Sequence, residues 1–322
     1  MSIVDAAAVA RLFRGFDHRE GAASYLRLRR VVSSHDETSR LMRFFERGRL
    51  DRDRVEPAFQ NIACRLRAAR IVFVPALLSG VAIGASRLRL VDYLSHQVRQ
   101  LRDEGFDAHI VDIDVGSSVV ANSRQIADLL NAGHRPTWLV THSKGGLDAL
   151  SALLNYPEVR RYVEGWIAFQ SPFFGSPAAD VACGSLKAGT IAGAALRLFQ
   201  SDVQSVCELR TDFRTRLMDA RATEIASLVE QVPVMCVGSK VRSMWWPTGR
   251  WMSRLGLAND GLVPTGSTVL PGARFVMLDG LAHGEAGARR RLSGQGFEHV
   301  DLLKALLVLM LGGAQAANRT AA

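Results

Sequence analysis

The chain is poor in lysine, has few aromatic residues and contains no long apolar run. Only four of its 40 basic residues are lysines, so the formal charge of +9 is carried by arginine. That bias reads as composition, because the arginines cluster little outside the N-terminal region and Arg289-Arg290-Arg291. A positive surface favours anionic partners such as lipid headgroups. With no accompanying motif it does not make a nucleic-acid binder.

Cys64, Cys183, Cys207 and Cys236 form no CxxC pair and no metal-ligand spacing. No metal centre or cofactor is expected from them, and they read as buried free thiols in a reducing compartment. The first residues, "MSIVDAAAVARLFRGFDHRE", lack the continuous apolar core of a secretory leader. The most apolar stretch, "LLKALLVLMLGG" (302–313), is too short to span a bilayer and carries Lys304. It reads as a buried C-terminal helix, and a cytoplasmic protein is the expectation. There is no internal repeat and no low-complexity tract.

The 322 residues, 48% hydrophobic and 22% charged, are enough for one large α/β domain with an accessory segment. Residues 1–66 mix Arg, Glu and Asp with scattered apolar residues and read as a helical N-terminal extension. Within it, "DETSRLMRFFERG" (36–48) reads as a helix ending on Gly48. From residue 69 the texture changes. "ARIVFVPAL" (69–77), "AHIVDIDV" (108–115), "PTWLVTH" (136–142), "VEGWIAFQ" (163–170), "VPVMCVGS" (232–239) and "ARFVMLDG" (273–280) are β-branched apolar runs. Such runs mark strands buried on both faces. Amphipathic helices alternate with them, among them 88–105 and 119–133, each closing on a glycine. The expectation is a mostly parallel sheet of about six strands flanked by helices, over 67–316. Residues 177–230 read as a helical cap or lid inserted after the fourth strand, and 317–322 as a disordered tail.

In open parallel sheets, sites form at the carboxyl ends of strands. Ser143 sits at such an end in "TWLVTHSKGGLDALSALL" (137–154), between a strand and a helix. A strand–nucleophile–helix turn strains the serine backbone and needs small residues two positions before and after it. Those positions hold Thr141 and Gly145, so Thr141 departs from the G-x-S-x-G pattern. The other reading is a tight loop with a capping serine. A nucleophilic serine needs a histidine base and an orienting carboxylate, here in the order Ser…Asp…His. Only His283 and His299 follow His142. His283 leaves the last strand in "LDGLAHGEAG", whereas His299 falls in the C-terminal helix and reads as structural. Asp260, in the turn "LANDGLVPTGS", is the preferred acid. Asp279, at the end of the last strand, is the alternative.

These stretches resemble the α/β-hydrolase superfamily, and within it bacterial triacylglycerol lipases and related serine esterases. The residues that carry the resemblance are "VTHSKGG" (140–146), "FQSPFFGSPAAD" (169–180), "NDGLVP" (259–264) and "LAHGE" (281–285), across about 69–312. The resemblance implies Ser143 as nucleophile, His283 as base then acid, and Asp260 as orienting carboxylate. It also implies an oxyanion hole built from the backbone N–H groups of Lys144 and of the loop after the first long strand. That loop, "VPALLSG" (74–80), lacks the His-Gly pair common there, and Leu77 is the candidate donor. The Lys144 side chain is expected to point to the cap or solvent.

The apolar stretch 184–199 and "MWWPTGRWM" (244–252) are candidates for a substrate pocket. Trp245, Trp246 and Trp251 would then contact an acyl chain or leaving group, or a lipid surface. The expected substrate is a hydrophobic carboxylic ester. A thioester, a polyester of hydroxy acids or an amide would use the same machinery. A non-catalytic binding module on the same fold is the reading from another class.

Overall fold

The structure is a computed structural model that describes residues 22–31, 33, 35–75, 94–187, 203–241, 247–285 and 298–320. Its elements begin with α1 (Ala22–Arg27), β1 (His35–Asp36), α2 (Thr38–Leu41), β2 (Phe45–Glu46) and β3 (Arg49–Leu50). Next come α3 (Arg52–Arg67), β4 (Arg70–Val74), α4 (Ser95–Asp103), β5 (Asp107–Ile110), α5 (Val119–Asn131) and β6 (Thr137–His142). They continue with α6 (Lys144–Asn155), β7 (Val163–Phe169), α7 (Pro177–Lys187), α8 (Val203–Cys207), α9 (Thr211–Ala220) and α10 (Ala222–Gln231). The last are β8 (Val234–Lys240), α11 (Pro247–Arg254), β9 (Arg274–Asp279) and α12 (His299–Thr320).

The six β-branched runs form β4 to β9. Together with β1 they make a seven-stranded sheet in the order β1-β9-β8-β7-β6-β4-β5. Every pairing in it is parallel. Successive residues of a strand face opposite sides of the sheet. Accordingly Val72, Leu139, Trp166 and Cys236 join one apolar layer, while Ile71, Val140, Ile167 and Met235 join the other. The first layer packs against α5 and α6, and the second against α3 and α12. After β4 the chain runs to one side for β5 and then returns to the other for β6. The carboxyl ends of β4 and β6 therefore flank the point where the winding reverses, the usual place for a site in such sheets.

Residues 22–67 are built into this body rather than set apart from it. β1 pairs with β9, matching His35 to Arg274. Val55, Phe59 and Leu66 of α3 are fully buried. Tyr25 donates to Asp180 at 3.0 Å. The expected helix over 36–48 is broken: α2 ends at Leu41, and β2 and β3 form a hairpin. Its two turn residues, Arg47 and Gly48, both have positive φ (48° and 76°), the backbone a two-residue hairpin turn demands. Local turn chemistry thus overrides the helical pattern.

The described parts of the 177–230 insertion are all helical. Two of the four thiols expected to be free are not: Cys183 of α7 and Cys207 of α8 form a disulfide. Cys64 is exposed, and only Cys236 is a buried free thiol, pushed up to about 12 by burial. The C-terminal helix is buried from Val300 to Leu307, and it runs to Thr320, through most of the expected disordered tail. No described helix is long and apolar enough to cross a membrane.

Candidate active site

All six residues of β6 are buried, and the chain turns sharply where the strand ends. Ser143 there has φ 53° and ψ −125°, a conformation that L-residues adopt only when their surroundings impose it. The Ser143 N–H donates to Phe169 O at 2.9 Å, and Ser143 O accepts from the Gly146 N–H at 3.0 Å. A Cβ on Gly145 would lie 2.5 Å from Pro75 O and 2.6 Å from Val74 O. A Cβ on Gly146 would collide with the Ser171 side chain. Gly145 therefore lets the first turn of α6 press against the end of β4, and Gly146 lets it press against Ser171, just after β7. Thr141, the departure from the usual pattern, is absorbed: it is fully buried, and its Oγ1 accepts from Trp166 Nε1 at 2.9 Å.

Ser143 makes no side-chain capping bond to α6. Its Oγ lies 3.0 Å from His283 Nε2. His283 Nδ1 lies 2.9 Å from Asp260 Oδ2. Asp260 is fully buried. Its Oδ1 accepts from the backbone N–H groups of Leu262 at 3.0 Å and Val263 at 2.7 Å. The Asp260 carbonyl also accepts from the His283 N–H at 2.9 Å, so loop and turn are joined through backbone and side chain alike. Asn259 stiffens the turn, accepting from the Gly261 N–H at 2.9 Å and donating to Leu257 O at 2.9 Å. A carboxylate on Nδ1 fixes the imidazole tautomer with Nε2 unprotonated, free to accept the serine proton.

The structure thus brings Ser143, His283 and Asp260 together in one hydrogen-bonded chain. Asp279 points elsewhere, with a side chain 76% exposed and paired to Lys240 at 3.1 Å. His299 begins α12, buried, with Nε2 3.0 Å from His96 Nδ1. The Lys144 side chain does not reach solvent. It is 1% exposed and pairs with Asp148, one turn along α6, at 2.9 Å. The i,i+4 spacing stacks the two on one face, and that face lies against α5, where Asn122 donates to Asp148 at 3.1 Å. Burial, stronger here than the attraction of Lys144, pushes the Asp148 carboxyl up to about 6. The Lys144 backbone N–H opens α6, at the positive end of the helix dipole.

Leu77, Trp245 and Trp246 lie outside the described residues, as does most of 184–199. Trp251 is 7% exposed and joins the first apolar layer with Met252 and Leu257. Two residues beside Ser143, His283 and Asp260 have no role legible in the sequence. The ring centroid of His142 lies 4.9 Å from that of His283. Burial, followed by the charge of His283, pushes it well below the usual histidine range, so it is neutral. Gln170, just after β7, shares a hydrogen bond with it at 3.1 Å. A glutamine in an apolar run gives no signal in sequence.

No protein-family model matches the chain, and no curated protein matches it by sequence. Solved structures do. The mature form of the lipase BlEst2 from Bacillus licheniformis superposes with a TM-score of 0.53 at 22% identity, over 76% of this chain and 89% of that one. The metagenomic carboxyl esterase MGS0156 superposes with a TM-score of 0.59 at 18% identity, over 77% of this chain and 76% of that one. The chain has the α/β-hydrolase fold, in the form also found in a bacterial lipase and a carboxyl esterase.

Proposed function

We propose that the protein is a serine hydrolase of carboxylic esters, acting through Ser143, His283 and Asp260. The observation that carries this reading is the continuous chain from Ser143 Oγ through the imidazole to a fully buried carboxylate, with the serine on a strained turn. Ser143 Oγ attacks the ester carbonyl carbon as His283 Nε2 takes its proton. The carbonyl oxygen becomes an oxyanion facing the start of α6, where the Lys144 N–H is a donor. The C–O bond breaks, and the alcohol leaves with the proton held by His283. Water then loses a proton to His283 and attacks the acyl-enzyme, which releases the acid and restores Ser143. Asp260 holds the tautomer and offsets the imidazolium charge. A second backbone donor is proposed at Leu77, and the acyl chain or leaving group at Trp245, Trp246 and Trp251.

The test is labelling by a fluorophosphonate, together with turnover of a soluble p-nitrophenyl ester. Wild type labels and turns over, and Ser143→Ala and His283→Ala do neither. Asp260→Asn loses on the order of a thousandfold or more in kcat, because an amide stabilises the wrong tautomer. Folded wild type that neither labels nor hydrolyses the ester, with or without lipid, refutes the reading.

A further inference from the structure

His283 stands on a loop that leaves β9, and a base must hold its place to within about half an ångström. The question is what holds it there against the strand that carries Ser143. Gln170 lies between them. Its backbone is in the left-handed region with φ 49°, and its side chain is fully buried. Its amide nitrogen donates to Ala282 O at 3.1 Å and to Ser239 Oγ at 2.6 Å. Its amide oxygen accepts from the Gly284 N–H at 3.1 Å and lies 3.1 Å from His142 Nε2. Ala282 and Gly284 are the two residues on either side of His283.

The orientation of this amide is fixed by chemistry. A backbone carbonyl only accepts and a backbone N–H only donates, so the nitrogen faces Ala282 and the oxygen faces Gly284. His142, being neutral, must then donate through Nε2. Both amide N–H groups and both oxygen lone pairs are spent, and all are out of water, where an unmade bond costs most. On the far side of the loop the Glu285 carboxylate accepts from the Ala282 N–H at 2.8 Å. One side chain thus grips the backbone before and after His283 and the residue before Ser143.

We infer that Gln170 is a positioning residue for the hydrolysis: its amide clamps Ala282 and Gly284 and so sets the His283 imidazole on Ser143. The inference rests on the roles proposed for Ser143 and His283. Gln170 touches no reacting atom. Its effect is on the distance and angle between base and nucleophile, where a shift of about 1 Å costs on the order of a hundredfold in rate.

The experiment compares wild type with Gln170→Met, which keeps the length and loses every bond, and Gln170→Glu, which keeps only the accepted bonds. Three readouts are taken on each: fluorophosphonate labelling rate, kcat and KM on a soluble p-nitrophenyl ester, and amide hydrogen exchange. In Gln170→Met the labelling rate and kcat fall about 10- to 100-fold while KM stays within twofold. Exchange rises over 281–285 and not across the sheet. Gln170→Glu falls less than Gln170→Met, and it covers the case in which the methionine variant fails to fold. A folded Gln170→Met with wild-type labelling, kcat and loop exchange overturns the inference. Wild type that neither labels nor turns over refutes the hydrolase reading instead, and loop exchange then decides the clamp alone: unchanged exchange in either variant overturns it.

Discussion

Lys304 offers a sharp test of how the N-terminal helix α3 is fastened to the α/β body. Its side chain is 0% exposed, yet Nζ reaches Glu56 of α3 at 2.7 Å and Glu104, just beyond α4, at 2.8 Å. It also sits 4.9 Å above the Phe59 ring. The two carboxylate side chains are 30% and 25% exposed. The cluster is therefore lopsided: the ammonium is wholly dry and its partners touch water. Glu56→Gln with Glu104→Gln strands a buried cation and is expected to cost about 3–5 kcal/mol. Lys304→Met leaves two carboxylates that rehydrate where they stand, and an apolar side chain among apolar neighbours, so its cost is about 1 kcal/mol or less. The triple variant recovers most of what the double glutamine variant loses. Urea unfolding followed by circular dichroism reads this as shifts of midpoint at constant m-value. A double glutamine variant within about 1 kcal/mol of wild type, or a triple variant no better than the double, refutes the reasoning. There is a pH signature too. Burial pushes the Glu56 carboxyl up, but hydrogen bonds from Lys304 and Gln60 and the charges of Lys304 and Arg52 outweigh it and hold it below the usual range. A depressed acid stabilises the fold above its unfolded pKa and loses that contribution as pH falls through the folded value. The double glutamine variant lacks this part of the acid sensitivity.

Gly145→Ala places a methyl group 2.5 Å from a backbone oxygen that cannot rotate away. It is expected to cost about 1–3 kcal/mol and to lower the labelling rate of Ser143; wild-type stability and labelling would show that the close approach of α6 to β4 is not required. Replacing Cys183 and Cys207 by alanine opens a cross-link between residues 24 apart in sequence, worth about 3.5 kcal/mol by loop entropy. Urea unfolding of oxidised wild type and the variant should differ by that order, and a difference under about 1 kcal/mol refutes the estimate.

What the sequence discloses and what it hides divide along a physical line. β4, β6, β7 and β8 are legible because each is a short apolar run buried on both faces, a pattern that needs no partner to be recognised. The candidate Ser143, Asp260 and His283 are legible because chain order and turn composition are themselves sequence properties. β1 is hidden: two exposed residues, His35 and Asp36, gain their strand character only from β9, some 240 positions away. The Cys183–Cys207 pairing is hidden because spacing alone does not select two thiols out of four.

Buried polar groups are the hardest to read, and the site shows why. Lys144 and Asp148 have the spacing of a surface ion pair, and composition gives no reason to bury them. Only the packing of α5 and α6 puts the pair in the interior. Thr141 departs from a glycine pattern, and its hydroxyl is satisfied by Trp166, a tryptophan from the next strand. Gln170 spends its amide on residues 112 and 114 positions away. Each of these side chains is costly in the interior unless its partner arrives from a distant segment. A sequence read locally sees the polar residue and not the partner, so it places the residue on the surface or gives it no role. The candidate residues for the chemistry announce themselves by type and order. Those that hold them in place are known only once the sheet has brought distant strands side by side.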